Sequence, residues 1–166
     1  MKFDYHMHFE YGDYDQSWVE GFFTAAKSHG LDEIGISEHT HTFPEFKRLY
    51  YDDLILDASP VGEFQKVWLK TNKFKHTLKD YFDFMARLKE NHAVKVGIEV
   101  CNFQNQSAVK KILDSWDFDY RIGSVHFLWG WGYDASKLID EWTRHDLKNI
   151  YEEYAAQVEL LAASGN

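Results

Sequence analysis

Four stretches of this chain read as short strands, and each carries a metal-type side chain toward its C-terminal end. Residues 2–8 end in His6-Met7-His8, and residues 33–37 run into Glu38-His39-Thr40-His41. Residues 93–100 carry Glu99, and residues 120–126 end in His126. The period of two places His6 and His8 on one face of a strand. There their imidazole nitrogens can converge on one ion. Glu99 sits in an otherwise apolar run, where a carboxylate is costly to bury unless it is paired or coordinates a metal. With 9 histidines in the chain one such coincidence is easy, but the same placement at four strand ends is not. In parallel sheets and barrels chemistry gathers at that end. His29, His76, His92 and His145 fall in helical stretches or at their ends and read as ordinary surface residues.

Helical patterns separate the strands. Ser17-Trp18-Val19-Glu20 has the spacing of a capping box, opening a helix that runs to about His29 and stops at Gly30. Its apolar positions Val19, Phe22, Phe23 and Ala26 recur at helical spacing. Leu78, Tyr81, Phe82, Met85 and Leu88 predict a second helix over 77–91, and a short third covers 106–116. A last helical stretch over 138–163 breaks near Arg144-His145-Asp146. Residues 42–65 hold both prolines, Pro44 and Pro60, and read as an irregular lid or substrate loop. Lys47 and Arg48 in that stretch are candidate cations for a phosphate, whereas alternation turns Arg121 away from His126. Strand and helix in alternation predict a parallel α/β sheet.

Composition narrows the partners. The chain is 45% apolar and 17% aromatic, which fits a single folded domain over residues 1–166. Lys and Arg total 18 against 27 Asp and Glu, a net charge of −9 that argues against nucleic acid. A small phosphorylated substrate is compatible with that charge, because bound cations reverse the local potential. Cys101 is the one cysteine, so neither a disulfide framework nor a cysteine-rich zinc site is expected. No segment reads as a membrane span or a signal peptide, and a cytoplasmic protein is expected.

These motifs resemble the PHP (polymerase and histidinol phosphatase) superfamily. Asp4-x-His6-x-His8 matches its first motif, Ser37-Glu38-His39-Thr40 its second and Gly97-Ile98-Glu99 its third. Gly123-Ser124-Val125-His126 is similar to the histidine motif of the histidinol-phosphatase branch. The resemblance implies a distorted, TIM-like (β/α)7 barrel, of which this chain supplies the first four β/α units. It implies two or three divalent ions (Zn, Fe or Mn) and hydrolysis of a phosphate monoester, histidinol phosphate foremost. His6, His8 and Glu99 would form one metal site, Glu99 and His126 would reach a second, and His39 would serve a third. Asp13 or Asp15 would take the acidic position after the first motif. Glu99 would act in catalysis as the bridging carboxylate, and His41 would bind substrate or protonate the leaving group. Asp4 and Glu38 would orient the ligands.

The family's later motifs, a histidine after strand five or six and a C-terminal Asp-x-His, have no match here. Four strands cannot close a barrel of seven, so the domain is expected to be C-terminally incomplete. A longer chain, or else a second polypeptide, would supply the rest. Two other functions fit the same residues. One is a PHP-type nuclease or nucleotide phosphoesterase, and the other is a non-catalytic, metal-poor half-barrel. A related amidohydrolase barrel needs a lysine ligand on a middle strand, and none is evident.

Overall fold

Helical chain separates the first four strands from one another, which supplies the crossovers that parallel pairing needs. A computed structural model, which describes residues 1–71 and 73–165, shows this arrangement. The strands β1 (Phe3–Met7), β2 (Glu33–His39), β3 (Val94–Cys101) and β4 (Tyr120–Ser124) lie in the order β1-β2-β3-β4. All three pairings are parallel. The helices are α1 (Gln16–Ser28), α2 (Lys47–Asp53), α3 (Pro60–Lys70), α4 (Leu78–Lys89), α5 (Gln106–Leu113) and α6 (Leu147–Ser164).

One side of the sheet is aliphatic and packs on helices. Ile34, Ile36, Val94, Val96, Ile98 and Val100 share a core with Val19 of α1 and with Leu78, Tyr81, Met85 and Leu88 of α4. The Tyr81 hydroxyl points at the carbonyls of Ile36 (2.9 Å) and Gly97 (3.0 Å), tying α4 to β2 and β3. The other side carries Gly35, Ser37 and His39 on β2, and Gly97 and Glu99 on β3, by simple alternation. Across it lies the ring of Tyr120. A Cβ at Gly97 would come within 2.2 Å of that ring, and one at Gly35 within 2.5 Å of its hydroxyl. The hydroxyl donates to the Tyr5 carbonyl at 2.6 Å, so a side chain of β4 reaches β1. The sheet is thereby curled into a half-barrel, the partial TIM-like architecture that the β/α alternation predicts.

Residues 42–65 are not the irregular loop expected from the two prolines. Short 3-10 turns at Thr40–Thr42 and Pro44–Phe46 lead into α2, and α3 begins at Pro60. Both prolines occupy first-turn positions, where a missing N–H costs nothing. Ser59 caps α3 by accepting from the Gly62 N–H at 3.1 Å. Phe43, Phe46, Leu49, Tyr50 and Leu69 are buried in the same core as the sheet, so the segment is a packed wall. The cap of α1 also differs from expectation. Asp15, not Ser17, accepts the Trp18 N–H at 3.0 Å, and the helix starts at Gln16. An aspartate two residues upstream supplies an acceptor at the right offset, which leaves Ser17 inside the first turn.

After β4 the chain makes a small hairpin, β5 (Phe127–Leu128) with β6 (Trp131–Gly132), then a 3-10 stretch at Ser136–Arg144. The expected break falls at His145–Asp146, where Asp146 caps α6 by accepting from Lys148 and Asn149. Val61, Val125, Leu128, Trp131, Leu138, Ile150 and Leu161 form a second core under this hairpin. Among the described residues no helix is long and apolar enough to cross a membrane.

Candidate metal centre

The C-terminal ends of all four strands meet at Glu99, which is 3% exposed. His6 Nε2, His8 Nε2 and His39 Nε2 lie 2.9, 3.4 and 3.3 Å from its Oε2. His126 Nε2 lies 3.0 Å from its Oε1. The other nitrogen of His39, Nδ1, lies 3.1 Å from both oxygens of Glu10. Three groups of potential ligands result: His6, His8 and Glu99; His8, Glu10 and His39; and His39, Glu99 and His126. Within each, the ligand atoms all lie within 4.8 Å of one another. A neutral His39 cannot satisfy both of its contacts, because a carboxylate faces each of its nitrogens and a neutral ring carries one N–H. His8 Nδ1 is also buried with no hydrogen-bond partner. Borderline nitrogen donors around shared carboxylates are a donor set suited to divalent Zn, Fe or Mn.

The electrostatics agree with that donor set. Burial, aided by His39, holds the His8 pKa down at about 4. Burial and the Lys73 ammonium hold His41 down at about 2. Burial alone would raise Glu99, but the His126 hydrogen bond, the His39 charge and the His6 hydrogen bond outweigh it and leave it ionised well below the usual range. Glu10 follows the same pattern, burial being outweighed by its hydrogen bond with His39. Glu38 goes the other way: it is fully buried beside Glu10, and burial and then that charge raise it well above an ordinary carboxylate.

These shifts fix how the metal-free fold responds to acid. Unfolded histidine titrates near 6.5, so below that pH the unfolded chain binds two more protons at His8 and His41 than the folded one. Glu38 opposes this by one proton above 4.5, because it stays protonated only when folded. Two rings outweigh one carboxyl, so unfolding free energy should fall as pH drops from 6.5 toward 4.5. Urea titrations across that range check this, and equal stability at both ends would contradict the neutral buried rings.

Placement of the predicted residues is uneven. His6, His8, His39, Glu99 and His126 come together. Asp13 does not join them: it is 66% exposed and its carboxylate lies 2.8 Å from His76 Nε2. Asp15 is spent on capping α1. The acid at the cluster is Glu10, which stands in the same loop after His8 as Asp13 and Asp15. It is positioned by Glu38, whose two oxygens accept the Phe9 and Glu10 N–H groups at 2.8 and 3.2 Å. Glu38 therefore orients the loop rather than a ring, and Asp4 accepts the His6 backbone N–H at 3.1 Å. His41 is buried at the rim, its Nε2 3.2 Å from Lys73 Nζ. Arg48 is paired with Asp52 at 2.7 Å, Arg121 with Asp114 at 3.4 Å, and Lys47 lies over the Tyr51 and Phe74 rings. The four histidines read as ordinary surface residues stay outside the cluster; His76, for example, stacks on Tyr14 and His92 on Phe23.

With a curled parallel half-barrel, and histidines and glutamates gathered at its C-terminal rim, the chain belongs to the PHP domain family, whose model matches residues 4–166. Among curated proteins it is similar to a probable histidinol-phosphatase of Deinococcus radiodurans, with 40% identity over 85 residues, 50% of this chain and 31% of that protein. It is also similar to a histidinol-phosphatase of Lactococcus lactis subsp. lactis, with 25% identity over 126 residues, 75% of this chain and 39% of that protein. The chain thus matches between 31% and 39% of the length of these relatives.

Proposed function

We propose that this chain carries the metal-binding part of a phosphoesterase that hydrolyses a small phosphate monoester, with histidinol phosphate the first substrate to test. The observation that carries the reading is the convergence of His6, His8, His39 and His126 on the buried Glu99. In this reading His6, His8, Glu10, His39, Glu99 and His126 would hold the ions. Bound divalent ions would supply a water of lowered pKa and positive charge for the phosphoryl oxygens. The chain's own contribution is to gather the imidazoles and, by burial, to keep His8 neutral, as ligation requires. His41 stays neutral at the rim and accepts a hydrogen bond from Lys73. The edges of β1 and β4, unpaired by further strands among the described residues, are where the remaining strands of a closed barrel would add.

Two names among the curated relatives support the substrate, and the net charge of −9 disfavours polynucleotides. The test is phosphate release from histidinol phosphate with added Mn or Zn. With the barrel completed by its remaining strands, release is expected with metal, none after chelation, and no competition from oligonucleotides. Bound metal with no release from this substrate would remove the histidinol phosphate assignment.

A further inference from the structure

A lysine or arginine can bind phosphoryl oxygens beside metal ions, and Lys47 and Arg48 are the candidates in the sequence. The structure turns both elsewhere. Beside the cluster is a cavity of about 290 Å³ whose lining includes Tyr11, His39, His41, Trp68, Lys73 and His126. Lys73 is the single lysine or arginine lining it among the described residues. We propose that Lys73 is the phosphate-binding residue of this chain, holding the substrate's phosphoryl oxygens against the His39–His126 edge of the cluster.

Four observations carry this. The Lys73 ammonium makes no ion pair among the described residues, although the chain has 27 acids and only 18 lysines and arginines. A half-buried ammonium in so acidic a chain would ordinarily find a carboxylate; Asp134 lines the same cavity and does not pair with it. Its position is set at both ends. Nζ lies 3.2 Å from His41 Nε2 and 4.7 Å from the Trp68 ring centroid, so an imidazole nitrogen and an indole face hold the ammonium, and neither is a carboxylate. The backbone is pinned as well: the Phe74 N–H donates to the His41 carbonyl at 2.7 Å, and the His76 N–H to the Thr42 carbonyl at 3.2 Å. These bonds lay the chain alongside the turn that follows β2. Between them Phe74 adopts φ +57, a left-handed conformation that a bulky side chain rarely takes. Strain of this kind persists where surrounding contacts over-determine the backbone, and it clusters at ligand clamps.

The inference rests on the phosphoesterase reading for its ligand, but it is tested by binding. Inorganic phosphate is titrated calorimetrically into the Mn-loaded protein, its Lys73→Met variant, which keeps an apolar stem over Trp68, and its Lys73→Arg variant. A charge-assisted contact predicts that Lys73→Met weakens phosphate about tenfold to a hundredfold. Lys73→Arg should stay within about threefold, because it keeps the charge. Metal content should not change, and with a phosphomonoester Lys73→Met should raise KM more than it lowers kcat. Unchanged phosphate affinity in Lys73→Met, or no phosphate binding by the unsubstituted protein, overturns the proposal. Lys73-dependent phosphate binding without turnover would sink the hydrolase reading and leave this one standing.

Discussion

Glu99→Ala is expected to cost the protein its bound metal at two of the three ligand groups at once, and with it roughly 10³-fold or more of any phosphatase activity. No other side chain touches so many partners in the cluster. Its two oxygens meet four imidazole nitrogens within 3.4 Å, so truncating it removes the one charge those rings share. Glu99→Gln is the sharper variant, since it keeps the shape and removes the charge. Metal content by mass spectrometry and phosphate release read both changes. His92→Ala is the control, because that ring stacks on Phe23 away from the cluster. Metal content equal to that of the unsubstituted protein in Glu99→Ala would mean that the convergence of rings on this carboxylate is not a metal centre.

The second large effect is on stability. Gly97→Ala should destabilise the fold by about 2–3 kcal/mol, the range for overpacking a close-fitted interior. In a chain of this size that is roughly 5–10 °C in Tm. The reason is the Tyr120 ring, which a Cβ at position 97 would meet at 2.2 Å. The ring cannot simply step aside, because its hydroxyl is committed to the Tyr5 carbonyl across the sheet. A double-mutant cycle isolates the clash: in a Tyr120→Ala background the same glycine substitution should cost little. Equal cost in both backgrounds, measured by urea unfolding, would show that the ring is not what reserves the position for glycine.

Much of this molecule is readable in its sequence, because period and placement are local properties. The four strands and the helices at 16–28, 78–89, 106–113 and 147–164 follow from apolar spacing, and the break before Leu147 from a polar cluster. His6, His8, His39, Glu99 and His126 could be singled out because each stands at a strand end. What escaped depends on three-dimensional approach. Glu10 sits in a loop with Asp13 and Asp15, and only the two hydrogen bonds from that loop to the buried Glu38 decide which acid turns inward. A buried acid directly before His39 was the available signal. Lys73 lies 32 residues from His41 and is brought beside it by backbone hydrogen bonds that no motif announces. Residues 42–65 were misread because proline was taken as a breaker. At the first turn of a helix it is a starter, and Ser59-Pro60 carried that mark.

That packed segment also limits how the rim can work. Swinging it outward would expose Phe43, Phe46 and Tyr50, each 0–1% exposed. At about 1.5–3 kcal/mol for each large apolar side chain brought into water, the motion would consume much of the stability a single domain has. This segment is therefore a fixed wall, not a door.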